Sequence, residues 1–457
     1  MNVDKIINEC KYKTGYTHTI TKPIEIMRGC MGSGKTYSTL KELDPENQIL
    51  FVTERLESGI DAQEDCPFLK IVGEGTSKTK GEHIKELLLN GSSCICTHKL
   101  FRELDQEVVE IIEEMGVHCC IDELLESCIE IKGVPNDYGD TDAPVLPLSA
   151  RKFLEATKVI DIDPDSHLVS WDTSKIPAPK GMGVLDDLYG WAKAGVLLWF
   201  TPTRDELSGY VVTTFPTAVL AAFKSVKLLC YNFEGLPFHG YLDTLRIPYV
   251  FNDRFLDEAK HKAMLREKID IIEDCSTYKL LEAEGKKINK PTLTLSRTCW
   301  DKLIDDKLAA KIGSTVDSYA HNNNIPTKEI AWTCYKSDLP RVAKGFKMKR
   351  LNAVGKHNQD TVRKGTICTF VSNTTKGTNY YKDRTFMANL CCLHINPVLK
   401  NFFLYQGFIV DEDAYILEAT IQWLMRGCAR DRDSTKKMKV LIGSKKAREL
   451  VIAWLHG

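Results

Sequence analysis

Residues 29–36 constrain the fold of this chain more than any other stretch. They read Gly-Cys-Met-Gly-Ser-Gly-Lys-Thr, follow an apolar run at residues 24–27, and precede residues 37–40, whose composition suits a helix. A strand, a G-x-x-x-x-G-K-T turn and a helix form a phosphate-binding loop, because the glycines let several backbone N–H groups face one polyphosphate. The alternative is a glycine-rich turn that matches the spacing by chance. The context favours a nucleoside triphosphate site.

Each polar residue of the loop has an expected role. Lys35 is expected to reach the β- and γ-phosphates, and the Thr36 hydroxyl is expected to bind Mg²⁺. The remaining cofactor-binding residues are the loop members Gly29, Gly32, Ser33 and Gly34.

Short apolar runs continue the pattern behind the loop. Residues 49–53, 94–98 and 117–121 are rich in β-forming types, and the segments between them have helical spacing. Strands that alternate with helices predict a parallel α/β sheet, and such sheets bind ligands beyond the carboxyl ends of their strands. The site is therefore expected at that edge.

An acidic pair ends the last of these runs. Asp122 and Glu123 directly follow the apolar residues 117–121. In phosphoryl-transfer sites an aspartate at such a strand end holds Mg²⁺, and we expect the neighbouring glutamate to polarise the attacking water. The alternative is that these carboxylates cap a helix at residues 124–127. Beside the phosphate loop, the catalytic interpretation is favoured, with Lys35, Asp122 and Glu123 as catalytic residues and Thr36 and Asp122 as metal ligands.

Composition limits the remaining possibilities. A chain of 457 residues predicts about two to four domains. With 61 Lys+Arg against 62 Asp+Glu the net charge is -1, so a nucleic-acid surface has to be local. The 16 scattered cysteines favour a reducing, cytoplasmic compartment. No apolar run reaches eighteen residues and the first residues are acidic, so neither a membrane span nor a signal peptide is expected.

The rest of the chain divides by pattern into three parts. We predict an ATP-binding α/β domain at residues 1–250, with an insertion at about 130–195 and further strands at 196–200 and 226–231. A helical linker follows at 251–290, and a second α/β domain at 291–457. In that domain the predicted strands are 292–296, 329–335, 366–371 and 440–444, and the predicted helices are 300–312, 411–426 and 447–455.

One stretch is strongly basic. Residues 344–364 contain seven Lys or Arg against one acid, Asp360. A solvated loop and a contact to the phosphate backbone of a nucleic acid both explain it. The predicted backbone contacts are Lys347, Lys349 and Arg350.

The ordered motifs resemble the superfamily 2 helicases, which have two RecA-like domains with ATP between them. The closer resemblance is to the DEAD/DEAH-box-like helicases of phages and mobile elements. It covers most of the chain and is clearest at residues 29–36, 121–123, 374–384, 396–403 and 421–426. It implies two RecA-like parallel-sheet domains with helices on both faces, and ATP and Mg²⁺ as cofactors.

The resemblance also implies roles for further residues. Residues at four positions would touch the nucleic-acid backbone: Thr53, Arg55, Thr97 and His98. Gly377 and Asn379 would couple the second domain to the nucleotide and the strand. Gln422, Arg426 and Arg430 fall in the arginine-finger motif, where Arg426 matches the spacing better. Residues 201–203, Thr-Pro-Thr, are the nearest substitute for the family's Ser-Ala-Thr motif.

These features together predict an ATP-dependent helicase or translocase. Its expected partner is single-stranded or forked DNA, and replication proteins of a phage or mobile element are further candidates. No membrane contact is expected. The protein is expected to be a monomer or an oligomer of unknown size. Two alternatives remain: a packaging or recombination ATPase, and an origin-binding protein that uses ATP only to change shape.

Overall fold

The structure is a computed structural model that describes residues 10–11, 17–18, 20, 22–125, 128–131, 146–163, 167–200, 210–346, 369–373, 380–431 and 434–457. Its strands are β1 (Cys10–Lys11), β2 (Thr17–His18), β3 (Ile24–Gly29), β4 (Ile49–Thr53), β5 (Lys70–Ile71), β6 (Cys94–Thr97), β7 (His118–Asp122), β8 (Ile129–Ile131), β9 (Ile160–Ile162), β10 (Val169–Trp171), β11 (Leu197–Phe200), β12 (Tyr210–Thr214), β13 (Ser225–Cys230), β14 (Tyr249–Phe255), β15 (Ile269–Ile271), β16 (Ile330–Thr333), β17 (Phe386–Asn389) and β18 (Met438–Ile442).

The helices begin with α1 (Lys35–Lys41), α2 (Leu56–Asp65), α3 (Lys80–Leu89), α4 (His98–Arg102), α5 (Gln106–Met115), α6 (Leu148–Thr157), α7 (Val184–Lys193), α8 (Thr217–Ala222) and α9 (Pro237–Thr244). They continue with α10 (Glu258–Lys268), α11 (Ser276–Lys286), α12 (Arg297–Lys302), α13 (Asp306–Asn322), α14 (Leu339–Ala343), α15 (Pro397–Tyr405), α16 (Glu412–Leu424) and α17 (Lys445–His456). Two 3-10 turns cover Thr327–Glu329 and Cys428–Arg430.

Contacts divide the chain into two compact units. The first comprises Met1–Arg28, Thr36–Arg254 and Ile395–Asp411, and the second comprises Gly29–Lys35, Phe255–His394 and Glu412–Gly457. The chain therefore passes between the units several times, including once on each side of the phosphate loop.

The first unit is built on a seven-stranded sheet in the order β14-β3-β13-β7-β4-β6-β5. The pairs β3–β13, β13–β7, β7–β4, β4–β6 and β6–β5 are all parallel. All five residues of β4 are buried, as expected for an inner strand covered on both faces. Because β13 separates β3 from β7, the two motif-bearing strands are second neighbours in the sheet.

The second unit contains a four-stranded sheet in the order β15-β18-β17-β16, with every pair parallel. Fully buried aromatic side chains pack around it, among them Trp300, Trp332 and Trp423. Two parallel sheets joined by helices confirm the predicted α/β fold class.

A smaller antiparallel region is inserted in the chain between β7 and β13, although these two strands are neighbours in the first sheet. Strands β11, β12 and β8 pair antiparallel, and β9 with β10 forms a hairpin. Helices α6 and α7 pack on this region through Leu154, Leu185 and Leu188. The chain rejoins the parallel sheet at Ser225.

Several predicted elements differ from the structure. Residues 292–296 form no strand, although Leu293 and Leu295 are buried. The Leu293 N–H donates to the Leu281 carbonyl and the Leu295 carbonyl accepts from the Cys392 N–H, so the two residues bond to different segments and not to one neighbouring strand. The predicted helical linker starts with the end of β14 and contains β15, and the helix predicted at 300–312 is two helices, α12 and α13.

The part of the chain that the structure describes contains no helix long and apolar enough to cross a membrane. Fourteen cysteines within the described ranges are buried free thiols. Within the same ranges, no group of three or more His, Cys, Asp or Glu side chains is arranged to hold a metal ion.

One ion pair in the second unit makes a pH-dependent contribution to stability. The Nδ1 of His394, which follows β17, lies 2.8 Å from Oε1 of Glu412, the first residue of α16. The neighbouring Cys392 side chain and the Glu412 carboxylate raise the pKa of His394 to about 9. A raised folded-state pKa stabilises the fold fully below the unfolded value of about 6.5, and the contribution disappears as the pH rises through about 9.

We predict that His394→Gln lowers the free energy of unfolding by about 1 kcal/mol at pH 6, because the substitution removes the cation beside Glu412. The difference from the wild type shrinks as the pH rises to 10. Urea titrations at pH 6, 8 and 10 measure it, with the exposed His456→Gln as control. A destabilisation that does not change with pH would contradict this prediction.

Candidate nucleotide and nucleic-acid site

The phosphate loop lies between β3 and α1, as the sequence predicts. Gly32 and Gly34 have positive φ angles of 71° and 83°, and the Ser33 N–H donates to the Cys30 carbonyl over 3.0 Å. Helix α1 then begins at Lys35. Positive φ is accessible to glycine without the steric cost of a Cβ, so the two glycines allow the tight turn that precedes the helix.

The loop is closely packed and leaves one polar atom unsatisfied. A Cβ at Gly29 would lie 2.6 Å from the Phe255 Cβ and 3.2 Å from the Ser33 Oγ. Lys35 is 8% exposed, and the buried Ser33 Oγ has no hydrogen-bond partner among the described residues. A buried hydroxyl without a partner costs about 1–3 kcal/mol, and a phosphate oxygen would remove that cost. The loop residues therefore fit a polyphosphate.

The acidic pair meets the loop helix at the carboxyl edge of the first sheet. The Thr36 hydroxyl donates a 2.9 Å hydrogen bond to Oδ1 of Asp122, the last residue of β7. A hydroxyl and a carboxylate are the hard oxygen ligands that Mg²⁺ accepts together with water and phosphate oxygens. The structure thus brings together the two predicted metal ligands.

Glu123 has an unusual backbone conformation for a non-glycine residue. Its φ angle is +70°, and its N–H donates to the Leu229 carbonyl over 2.9 Å. Left-handed backbone at a residue with a Cβ costs about 1–3 kcal/mol and is concentrated at functional sites. The alternative that this pair caps a helix is not supported, because Leu124 and Leu125 are not helical.

His98 contacts the acidic pair. Its ring is 9% exposed, and Nε2 lies 3.0 Å from the Asp122 carbonyl oxygen. The residue opens α4, where the Thr97 side chain accepts from the Leu100 N–H as the helix cap. The predicted contact of His98 with nucleic acid stays a prediction, and the contact that the structure provides is to Asp122.

The other predicted strand contacts lie side by side. Thr53 and Thr97 are register partners at the carboxyl ends of β4 and β6. The Thr53 hydroxyl donates to the Arg55 carbonyl over 2.9 Å, and Arg55 is the N-cap of α2. Lys80, at the start of α3, lines the same shallow pocket as the two threonines. Lys80 was not predicted as a site residue, although the capping box of Thr79 and Glu82 marks the N-terminus of α3 in the sequence.

A second missed residue is Arg28, directly before the loop. Its Nε and Nη2 each donate a 2.6 Å hydrogen bond to Asp253, and its Nη1 bonds Glu234 over 2.8 Å. The Asp253 carboxylate raises the pKa of Arg28, and Arg28 lowers the pKa of Asp253. The guanidinium also lies 4.1 Å from the centroid of the Phe251 ring. No motif in the sequence identifies this residue.

The arginine-finger candidates lie at and beyond the end of α16. Gln422 is buried and donates to Glu418 Oε1 over 2.6 Å, and Arg426 is 5% exposed. Arg430 ends a 3-10 turn, and a Cβ at Gly32 would lie 3.4 Å from its carbonyl oxygen and 3.6 Å from its Cγ. Gly32 and Arg430 both belong to the second unit. The structure thus places Arg430 beside the loop.

Other predicted residues lie outside the described part of the chain, namely Lys347, Lys349, Arg350, Gly377 and Asn379. Residues 201–203 do so as well, and their predicted role stays a prediction. The strand before them, β11, pairs in the antiparallel sheet, whereas the strand between β3 and β7 is β13.

Comparisons with known proteins show a family match to part of this chain and a similar protein. Residues 263–455 match the family described as the YonV C-terminal Rossmann-like domain, a range that contains the four-stranded parallel sheet. The SPbeta prophage-derived uncharacterized protein YonV of Bacillus subtilis (strain 168) is 22% identical, covering 95% of this chain and 98% of that protein.

Solved structures with similarity include one named XPD_APO, with 12% identity, 95% of both chains covered and a TM-score of 0.47. Another is Xpd4 of S. tokodaii, with 12% identity, 94% of both chains and a TM-score of 0.45. S. cerevisiae Dbp5 bound to RNA and ADP BeF3 has 10% identity, with 95% of this chain and 83% of that chain covered and a TM-score of 0.39.

We predict that Thr36→Val weakens Mg²⁺-dependent binding of a fluorescent ATP analogue about tenfold or more, because it removes the hydroxyl that faces Asp122. Thr39→Val is the matched control, since Thr39 lies in the same helix and its hydroxyl contacts the Met27 sulfur at 3.4 Å. Equilibrium titrations with and without Mg²⁺ measure the effect. Equal losses in the two variants would count against the metal-ligand role of Thr36.

Proposed function

We propose that this protein is an ATP-driven motor on nucleic acid, a helicase or translocase that acts on DNA in phage or mobile-element replication. The observation that best supports this function is the hydrogen bond between Thr36 and Asp122, which joins the phosphate loop to the acidic strand end. Motif pairs with this geometry bind and hydrolyse nucleoside triphosphates. The prophage origin of the relative YonV agrees with the proposed setting.

In this proposal the loop binds ATP and the acidic pair prepares hydrolysis. Lys35 and the loop amides hold the β- and γ-phosphates, and the Ser33 hydroxyl gains the partner that it lacks. Mg²⁺ on Thr36 and Asp122 would neutralise charge on the phosphate oxygens. Glu123 orients and polarises the attacking water, and its fixed backbone limits how far the carboxylate moves from that position.

Residues from the last part of the chain are proposed to complete the catalytic set. Arg426 and Arg430 supply positive charge to the γ-phosphate in the transition state, and Gln422 belongs to the same motif. An arginine finger contributes about 10³- to 10⁵-fold in rate. The packing of Arg430 against Gly32 supports its place in this group.

The DNA strand would follow the carboxyl edge of the first sheet. Thr53, Arg55 and Thr97 lie there, and Lys80 adds a positive charge for phosphate contacts. Lys347, Lys349, Arg350, Gly377 and Asn379 are proposed as contacts from the second RecA-like domain, within the boundaries predicted above. Hydrolysis and product release then change the grip on the strand and move the protein, in the host cytoplasm.

Strand displacement with ATP on forked DNA, duplex DNA and RNA, run beside a stimulated ATPase assay, tests the proposal. We expect ATP-dependent unwinding of forked DNA and stimulation by single strands. Cleavage of the substrate would support the packaging or recombination alternative. ATP-dependent binding without unwinding or translocation would support the ATP-switched alternative.

We predict that Arg426→Ala and Arg430→Ala each lower strand-stimulated ATPase about 10³-fold while nucleotide affinity changes less than about threefold, because the arginine acts on transition-state charge. Glu123→Gln is the positive control for lost hydrolysis with retained binding. Steady-state ATPase and equilibrium nucleotide titrations measure the two effects. Unchanged stimulated ATPase in both arginine variants would reject the arginine assignment.

A further inference from the structure

The peptide unit between Asp122 and Glu123 is held at both of its polar groups. The Asp122 carbonyl oxygen lies 3.0 Å from Nε2 of His98, and the Glu123 N–H donates to the Leu229 carbonyl over 2.9 Å. A carbonyl oxygen can only accept, so Nε2 of His98 carries the proton and donates it to this bond. One contact therefore comes from a side chain that follows β6, and the other comes from the backbone of β13.

These two contacts hold a backbone conformation that a residue with a Cβ does not favour. Glu123 has a φ angle of +70°. Rotation of the peptide plane between Asp122 and Glu123 changes this angle, and negative values are the sterically favoured ones. An unfavourable conformation of this kind persists only where the surrounding groups fix it. The hydrogen bonds from His98 and to Leu229 oppose the rotation, and they fix the backbone from which both carboxylates project.

His98 reaches the acidic pair from two strands away. Strand β4 lies between β6 and β7 in the sheet, so the carboxyl ends of β6 and β7 are about 10 Å apart. The imidazole crosses the end of β4 to bridge this distance, and His98 is only 9% exposed. The contact to Asp122 therefore depends on the length of the side chain at position 98.

The backbone of His98 is itself fixed. Thr97 is the N-cap of α4, and its side chain accepts a backbone N–H of that helix, which places His98 at the first helical position. Phe101 of the same helix has no exposed surface, and its ring stacks on Phe215 at a centroid distance of 5.2 Å. These contacts hold α4 in the first unit, so the imidazole extends from a defined point.

We propose that His98 is a positioning residue for ATP hydrolysis, whose Nε2–H group holds the Asp122–Glu123 peptide so that the Glu123 carboxylate stays directed at the attacking water. The inference rests on the proposed function, in which Glu123 polarises that water. A displacement of about 1 Å at a catalytic group can cost about 10²-fold in rate. This role differs from the nucleic-acid contact expected of His98, because the imidazole acts on hydrolysis through the backbone and not on strand binding.

The test compares two amide side chains at position 98. Glutamine carries its NH2 group near the place of the histidine Nε2, whereas asparagine is one methylene shorter and ends near the place of Nδ1. His98→Gln therefore keeps the donor to Asp122, and His98→Asn keeps the polarity but loses the reach. We expect His98→Asn to lower kcat for ATP at saturating single-stranded DNA about tenfold or more with KM within about threefold, and His98→Gln to keep both within about threefold of wild type.

A matched control lies at the other end of the same strand. The Nδ1 of His118, the first residue of β7, lies 2.7 Å from the Ser225 hydroxyl. His118→Leu removes a histidine hydrogen bond from β7 without altering the acidic pair, and we expect kcat and KM to stay within about twofold of wild type. The affinity for a fluorescent single-stranded oligonucleotide is measured in every variant, and we expect it to change less than about threefold.

A second readout needs no catalysis. The Glu123 N–H exchanges with solvent when the peptide plane turns and its bond to Leu229 opens. Hydrogen exchange of peptides covering residues 121–125 is therefore expected to be faster in His98→Asn than in the wild type, His98→Gln or His118→Leu.

The outcomes distinguish this inference from the proposed function. Wild-type protein without ATPase overturns the proposed function, whereas the exchange measurement still tests the contact of His98 with Asp122. Equal exchange or equal kcat in His98→Asn and His98→Gln overturns the positioning role. Weaker oligonucleotide binding in His98→Asn, with an unchanged kcat at saturating DNA, overturns it in favour of a direct contact with the nucleic acid.

Discussion

The hydrogen bond from the Thr36 hydroxyl to the Asp122 carboxylate is the interaction on which the site depends. It joins the first turn of α1, the helix that follows β3, to the end of β7, and β3 and β7 are not neighbours in the sheet. Strands in a sheet are about 4.8 Å apart, so β3 and β7, with β13 between them, are separated by about 10 Å. The phosphate loop spans this gap because α1 starts immediately after Gly34 and places Thr36 in its first turn.

Local patterns in the sequence predicted the parts of the site that depend on nearby residues. The strand, turn and helix around Gly32 and Lys35 follow from glycine spacing and apolar runs, and β7 ends at Asp122 as expected. The parallel α/β class follows from the alternation of strands and helices. Such features depend on a few consecutive residues, so one sequence is enough to predict them.

Pairing partners were not predictable in the same way. Leu197–Phe200 and Ser225–Cys230 are similar apolar runs, yet the first pairs antiparallel with β12 and only the second enters the parallel sheet. Residues 292–296 have strand composition and form no strand, since their backbone bonds go to Leu281 and Cys392, which lie outside the strands. The φ angle of Glu123 and the contact of His98 with Asp122 likewise depend on residues that lie close only after folding. The composition of a segment indicates whether it favours a strand, whereas the complete fold determines which segment it pairs with.

Two glycines show that residues much later in the sequence pack against the region of the site. Gly29 ends β3 and has no room for a Cβ because of Phe255, and Gly235 follows β13 and has no room because of Asp411. Each glycine lies at or beyond the carboxyl end of a strand, and each meets a segment that the chain reaches only much later. The early strands therefore carry the two glycines, and Phe255 packs against the first and Asp411 against the second. A fragment that stops before Phe255 would contain both nucleotide motifs and still lack the neighbours that shape them. The motifs supply the residues that would bind the nucleotide, and residues far along the chain, such as Phe255 and Asp411, pack against the backbone beside them.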